Sequence, residues 1–177
     1  MLCVKEEVKS SAPVPLEIER KYLVQMPDLE ALITLHGAEV TNILQTYLRS
    51  DIEGEGTRVR QRGNAGAYVY SVTKKRTLSN LVRTEEEKQI SAAAYLELMM
   101  TADTALHQIR KDRYCFDYKS ICFELDVYPF WTDKAIMEVE LDSETQAVDL
   151  PDFIAVIKEV TDDPAYRNHS IAKTIPV

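Results

Sequence analysis

A chain of 177 residues with 45% hydrophobic content suits one domain with its own core, and needs no metal or disulfide staple to fold. No apolar run reaches the roughly 18 residues of a membrane span, and a formal net charge of −8 disfavours broad nucleic-acid binding. Three cysteines, Cys3, Cys115 and Cys122, form no C-x-x-C pair, which argues against a disulfide framework or zinc site and for a reduced, cytoplasmic protein.

Residues 1–15 carry Lys5, Glu6, Glu7 and Lys9 with no apolar h-region, so they read as a flexible lead-in to a domain over 16–177. Period-two alternation begins at once and predicts a first strand over 16–24. Asp28 can cap a helix running to His36, with Gly37 as its stop. Strands follow at 44–50, 56–63 and 67–76, the last two joined through Gly63, Asn64 and Gly66. A strand over 81–90 leads to a helix capped by Ser91 that includes Tyr95, Leu96 and Met99. Strands over 108–118 and 121–128 meet at Tyr118-Lys119-Ser120, and the last strand spans 134–142. Leu150–Lys158, entered through Pro151, reads as a third helix. The expected class is α+β, mainly antiparallel β: an eight-stranded tunnel-like barrel with helices packed outside.

The strands carry charge on one face. Glu17, Glu19 and Lys21 share a face, as do Arg58, Arg60 and Arg62. So do Arg83, Glu85 and Glu87, then Lys111 and Arg113, then Glu124 and Asp126, and finally Glu138 and Glu140. For one strand, the plain explanation is a solvated face. Across the set, the opposite faces (Ile18, Val59, Val82, Tyr114, Leu125, Val127, Ile136 and Val139) suit packing against outer helices, and the charges would line an interior. Centring the sixth turn on Tyr118 and Lys119 puts Arg113 opposite Glu124, Lys111 opposite Asp126 and Cys115 opposite Cys122. Free thiols are expected there.

Carboxylates at i and i+2 lie about 6.7 Å apart along a strand face, and at about 6 Å two of them repel by roughly 3 kcal/mol at a dielectric near 20. Glu17 with Glu19, and Glu138 with Glu140, therefore suit a shared Mg²⁺ or Mn²⁺, which prefers oxygen ligands. Arg58, Arg60, Lys111 and Arg113 in the same interior suit phosphate oxygens. The alternative, a ligand-free salt-bridge network, is an expensive interior. No Walker A loop, H-E-x-x-H or G-x-S-x-G is present, and His36, His107 and His169 are scattered. The lone Trp131 falls near a turn.

Glu17-Ile18-Glu19-Arg20-Lys21-Tyr22-Leu23-Val24 resembles the E-x-E-x-K opening of the CYTH, or triphosphate tunnel metalloenzyme, family. An ordered series continues the resemblance over about 16–172. It runs through Gln45-x-Tyr47, Arg58-x-Arg60, Thr73-Lys74-Lys75, Arg83-x-Glu85-x-Glu87, Lys111-x-Arg113, Leu125-Asp126-Val127-Tyr128 and Glu138-x-Glu140. The ending Lys158-Glu159-Val160-Thr161-Asp162-Asp163-Pro164, with Tyr166-Arg167-Asn168, is similar too, although Ile157 stands where many relatives carry glycine. The resemblance implies an eight-stranded tunnel that binds a triphosphate chain. It implies Glu17, Glu19, Glu138, Glu140 and Asp126 as metal ligands for Mg²⁺ or Mn²⁺. Lys21, Arg58, Arg60, Lys75, Arg83, Lys111 and Arg113 would grip phosphates, with the motif spacing selecting Lys75 over Lys74. Glu85, Glu87 and Lys21 would form the catalytic set, the glutamates organising basic residues or positioning water.

The E-I-E-R-K-Y-L-V opening looks most like small bacterial-type tripolyphosphatases. The implied activity is metal-dependent hydrolysis of the terminal phosphoanhydride of inorganic tripolyphosphate. The alternatives are a nucleoside or thiamine triphosphatase, then a class IV adenylate cyclase, or a non-catalytic polyphosphate-binding module. The expected partner is a small anion, with no nucleic acid or membrane, bound by a monomer or homodimer.

Overall fold

The computed structural model describes residues 18–50, 55–77, 83–143 and 145–176; for 55, 76, 77 and 83–85 it describes the backbone alone. The lead-in over 1–15 and Glu17 lie outside the described residues.

Among the described residues nine strands build one sheet: β1 (Ile18–Gln25), β2 (Glu39–Leu48), β3 (Glu55–Asn64), β4 (Ala67–Thr77), β5 (Arg83–Ile90), β6 (Ile109–Tyr118), β7 (Ile121–Val127), β8 (Lys134–Leu141) and β9 (Val156–Glu159). Their spatial order is β5-β4-β3-β2-β6-β7-β8-β1-β9, antiparallel at every pairing. The α+β, mainly antiparallel class holds. The tunnel-like fold holds too, but among the described residues the sheet has nine strands rather than eight and is not strictly closed, with β5 and β9 at its two ends.

Local chemistry sets two helix positions. Asp28 accepts backbone N–H bonds from Glu30 and Ala31 at 3.0 Å and starts α1 (Leu29–His36). Gly37 ends it at φ 67°, a left-handed position that glycine takes without steric cost. Ser91 accepts from Ala94 N and starts α2 (Ala92–Met99). The β3–β4 hairpin turns through Ala65 and Gly66, both at positive φ. A side chain on the preceding Gly63 would meet the Ala67 carbonyl at 2.0 Å.

Three expectations are corrected. The 44–50 strand begins at Glu39, because Glu39, Val40 and Thr41 pair with Cys115, Tyr114 and Arg113 of β6. The 150–158 helix is a loop followed by β9. Its β-branched Val156 and Ile157 add to the free edge of β1, pairing Val156 with Val24 and Lys158 with Leu23 across a bulge. The β6–β7 register moves by two residues, so that Arg113 faces Asp126, Cys115 faces Glu124 and Asp117 faces Cys122. The two-residue turn is Lys119-Ser120, both left-handed at φ 48° and 65°. A shift of two keeps every side chain on its face. Cys115 and Cys122 are free thiols.

One sheet face carries most of the apolar core, although Lys74, Glu86, Lys88 and Arg110 on it are exposed. Tyr22, Val24, Phe116, Phe123, Leu125, Met137 and Val139 form the largest core with Leu32 of α1 and Ile154. Tyr95 of α2 packs on Leu48 and Val59 in a second. At about 25 cal/mol per Å² of buried apolar surface, these contacts stabilise the sheet from this face. The other face is charged along most of its length and apolar at one end. There Leu23, Ile109, Tyr128 and Ile136 meet Tyr166 of a 3-10 turn (Pro164–Tyr166), together with Ile171 and Ala172 of α3 (Asn168–Lys173). Each of these sheet-side residues, Tyr128 just past the end of β7, lies two positions from a charged one (Lys21, Lys111, Asp126 and Glu138), so the C-terminal segment plugs one end of the concave face. Ile136, expected on the outer face, is corrected to this one, because it is in step with Glu138 and Glu140 along β8. Among the described residues, no helix is long and apolar enough to cross a membrane.

Candidate functional site

The concave face encloses a cavity of about 250 Å³. Its wall divides by charge. The basic side is the i, i+2 run Arg58, Arg60 and Arg62 of β3, joined by Lys75 of β4. The acidic side is Glu19 of β1 with Glu138 and Glu140 of β8 and Glu124 of β7. Lys21 and Arg113 stand on that acidic side and bind it together.

Arg113 is the hub. Its Nε and Nη2 donate to Asp126 at 2.7 and 2.8 Å, its Nη2 reaches Glu138 Oε2 at 2.9 Å, and its Nη1 pairs with Glu124. Glu124 and Glu138 are direct cross-strand partners, an unfavourable like-charge pair that Arg113 bridges. Lys21 Nζ donates to Glu138 at 2.7 Å and pairs with Glu19 at 3.0 Å. Burial works against the Lys21 charge, yet Glu138 and Glu19 outweigh it and raise its pKa. For Glu138, burial favours the neutral acid, but Lys111, Lys21 and Arg113 pull it down to about 2.

The residues just after β9 fix where Lys21 stands. Val160 N donates to the Lys21 carbonyl at 2.8 Å, and Lys21 N donates to Thr161 Oγ1 at 3.1 Å. Lys158 turns away, pairing with Asp163 at 3.7 Å and lying over the Tyr166 ring.

A second like-charge pair has no such bridge. Glu19 and Glu140 are direct partners across β1 and β8, and both line the cavity. Among the described residues, Glu140 makes no ion pair, and no three acidic, histidine or cysteine side chains converge closely enough to hold a metal unaided.

On the basic side Arg60 is loosely held. Arg60 Nη1 lies 3.9 Å from Glu87 and its Nη2 lies 3.4 Å from Gln45 Oε1, while its buried Nε has no hydrogen-bond partner. Burial first, and then the neighbouring Arg58, lower its pKa. Gln45 is fully buried and donates to the Tyr47 hydroxyl at 2.9 Å. Burial raises Tyr47 against the opposing pull of Arg58, which reaches the same hydroxyl. Thr73 Oγ1, also fully buried, lies 3.5 Å from Glu87.

Of the expected site residues, Glu19, Lys21, Arg58, Arg60, Lys75, Glu87, Arg113, Glu138 and Glu140 meet in this one cavity. Lys75, not Lys74, lines it. Lys111 and Asp126 do not: they are 2% and 0% exposed and pair with each other beneath it. Burial lowers the Lys111 pKa, with Asp126 opposing. Their place is corrected from cavity wall to its foundation, because Lys111 is roofed by the Tyr128 ring 5.7 Å away and Asp126 by Arg113. Glu17 and the side chains of Arg83 and Glu85 lie outside the described residues, although the backbone sets Glu85 opposite Lys75 and Arg83 opposite Thr77. Three wall residues were not among the expected site residues: Arg62, Glu124 and Asn168. Period two already put Arg62 beside Arg60 and Glu124 beside Asp126. Asn168 carried only the similarity of the ending.

An antiparallel α+β sheet curved around a cavity with opposed acidic and basic walls defines a class of protein built to hold a charged ligand. Residues 15–164 match the CYTH domain, and the chain belongs to that family. It is similar to an inorganic triphosphatase of Nitrosomonas europaea (strain ATCC 19718 / CIP 103999 / KCTC 2705 / NBRC 14298), at 34% identity over 165 residues, 90% of this chain and 99% of that protein. The solved structure of the inorganic triphosphatase NE1496 aligns at TM-score 0.60 and 29% identity, covering 92% of this chain and 98% of that one. The PH1819 protein of Pyrococcus horikoshii OT3 shares the fold at TM-score 0.51 and 17% identity, over 72% of this chain and 80% of that one.

Proposed function

We propose that this chain hydrolyses the terminal phosphoanhydride of inorganic tripolyphosphate with the help of Mg²⁺ or Mn²⁺. The observation that carries the proposal is the division of the cavity wall into an arginine-rich side and a carboxylate side. The similarity to an inorganic triphosphatase over 90% of the chain supports the same reading.

The donor set fits a divalent cation. Glu19 and Glu140 face each other directly, which disfavours the sheet unless positive charge lies between them. Mg²⁺ is commonly held by one or two carboxylates, with water and substrate phosphates filling the other positions. Glu19 and Glu140 would hold it. Glu138 lies alongside and is also committed to Lys21 and Arg113, while Glu17 is proposed from its motif position alone. A cation at this wall supplies charge neutralisation for phosphate oxygens.

The chain's own residues do the rest. Arg58, Arg60, Arg62 and Lys75 receive the phosphate oxygens, arginine through its planar fork. Charge moves toward the leaving oxygen as water attacks in line, and these cations stabilise it. Lys21, braced between Glu19 and Glu138, holds its proton and stands where acidic and basic sides meet. Glu87 orients Arg60, or the attacking water, from the β5 rim.

Inorganic substrate is favoured over a nucleotide or thiamine ester by the lining itself: every lining side chain is polar. A nucleobase needs an apolar or aromatic shelf, and drug-sized ligands occupy cavities of about 300–1,000 Å³. The test is phosphate release from tripolyphosphate, ATP, thiamine triphosphate and pyrophosphate, each with Mg²⁺ or Mn²⁺. Tripolyphosphate should be turned over fastest. Faster ATP turnover, or cyclic AMP from ATP, would replace this reading, and binding without turnover under both metals would leave a polyphosphate-binding module.

A further inference from the structure

We propose that Asn168 is a neutral specificity residue at the plugged end of the cavity, donating its side-chain amide to a phosphate oxygen of the bound polyphosphate. The inference rests on the phosphate reading of the cavity and names a contact that this reading does not use. Asn168 opens α3, whose Ile171 and Ala172 are buried in the apolar plug, so its backbone is anchored. It also lines the charged cavity, at the boundary between plug and wall.

Its orientation is set from behind. The Tyr128 hydroxyl donates to Asn168 Oδ1 at 2.9 Å, and Tyr128 is 1% exposed. A buried hydroxyl must place its proton on an acceptor, and the amide oxygen is the acceptor it has. With Oδ1 held there, the two N–H donors of Nδ2 are the groups left to the cavity. An amide adds donors without charge, so it binds a phosphate oxygen without adding to the arginine repulsion across the cavity.

The experiment compares wild type with Asn168→Ala, Asn168→Asp and Tyr128→Phe. Tripolyphosphate hydrolysis with Mg²⁺ is followed alongside calorimetric binding of tripolyphosphate, each variant first checked by thermal unfolding. A purely structural Asn168 predicts that Asp outperforms Ala, because a carboxylate still accepts from Tyr128. A phosphate contact predicts the reverse, since Asp loses the donors and adds repulsion. Asn168→Ala should weaken binding and kcat/KM about tenfold, Asn168→Asp further, and Tyr128→Phe by less, through lost orientation. Affinity within twofold of wild type for Asn168→Ala, or Asp better than Ala, overturns the inference. Tyr128→Phe keeps the ring packing and decides the matter if both Asn168 variants misfold: unchanged affinity there counts against it. Wild-type binding without hydrolysis would sink the proposed reaction instead, and the binding series would still decide on Asn168.

Discussion

The two sides of the cavity are both charged, but they are held differently. On the β1–β6–β7–β8 side, Arg113 contacts three carboxylates and Lys21 two, with a buried Lys111–Asp126 pair below. On the β3–β4 side, three arginines stand at i, i+2 and i+4, and Arg60 has one distant ion pair at 3.9 Å and an unmatched buried Nε. The first arrangement is a braced scaffold, except where Glu19 and Glu140 face each other. In the second, Arg58 opposes the charge of Arg60, a repulsion that a bound anion would relieve.

The largest effect should come from removing the cation that the acidic side is proposed to hold. EDTA should abolish tripolyphosphate hydrolysis, and excess Mg²⁺ or Mn²⁺ should restore it, as read by phosphate release. Turnover that persists in EDTA would leave the carboxylates as scaffold alone.

Next is the foundation. Asp126→Ala strands Lys111 without its buried partner and should cost about 3–5 kcal/mol, lowering Tm by on the order of 10 °C. Arg60→Ala should change stability little and in either direction, because its contacts are long. Equal losses from both would erase the distinction between the two sides.

Turnover should respond in the opposite sense. Arg60→Ala should reduce kcat/KM at least about tenfold, equal to about 1.4 kcal/mol of transition-state stabilisation. A fall in kcat would mean that the contact strengthens in the transition state, and a rise in KM alone that it is uniform binding. Glu138→Gln should cost a similar factor and weaken metal dependence, since it loosens Lys21 and Arg113 together. Wild-type kinetics for both folded variants would remove the cavity from the chemistry.

The smallest effect is the most discriminating. Without metal, Glu140→Gln relieves its opposition to Glu19 and should raise stability by about 0.5 kcal/mol or less. With Mg²⁺ the sign should reverse, because the variant forfeits part of the ligand-induced gain. Thermal unfolding with and without Mg²⁺ reads both, and a change of the same sign in each condition would argue against a cation between these carboxylates.

What the sequence alone determined is what short stretches of backbone decide. Strand geometry sends alternate side chains to opposite faces, so the shared faces of Arg58, Arg60 and Arg62, or of Glu138 and Glu140, followed from spacing alone. The caps at Asp28, Gly37 and Ser91 are local for the same reason. Tertiary structure decided the rest, because pairing and burial are properties of the whole sheet. Lys119 and Ser120 carry no strong signal for the left-handed turn that moves the β6–β7 register, yet the move by two left every face intact. Residues 150–158 have a helical look on paper, but the free edge of β1 offers their backbone hydrogen bonds that no local pattern reveals. Lys111 and Arg113 are alike in sequence and alternate on one strand face. Their neighbours separate them: the C-terminal plug approaches from the Ile109 end, so Lys111 is sealed under Tyr128 and Arg113, one step farther along, reaches the cavity.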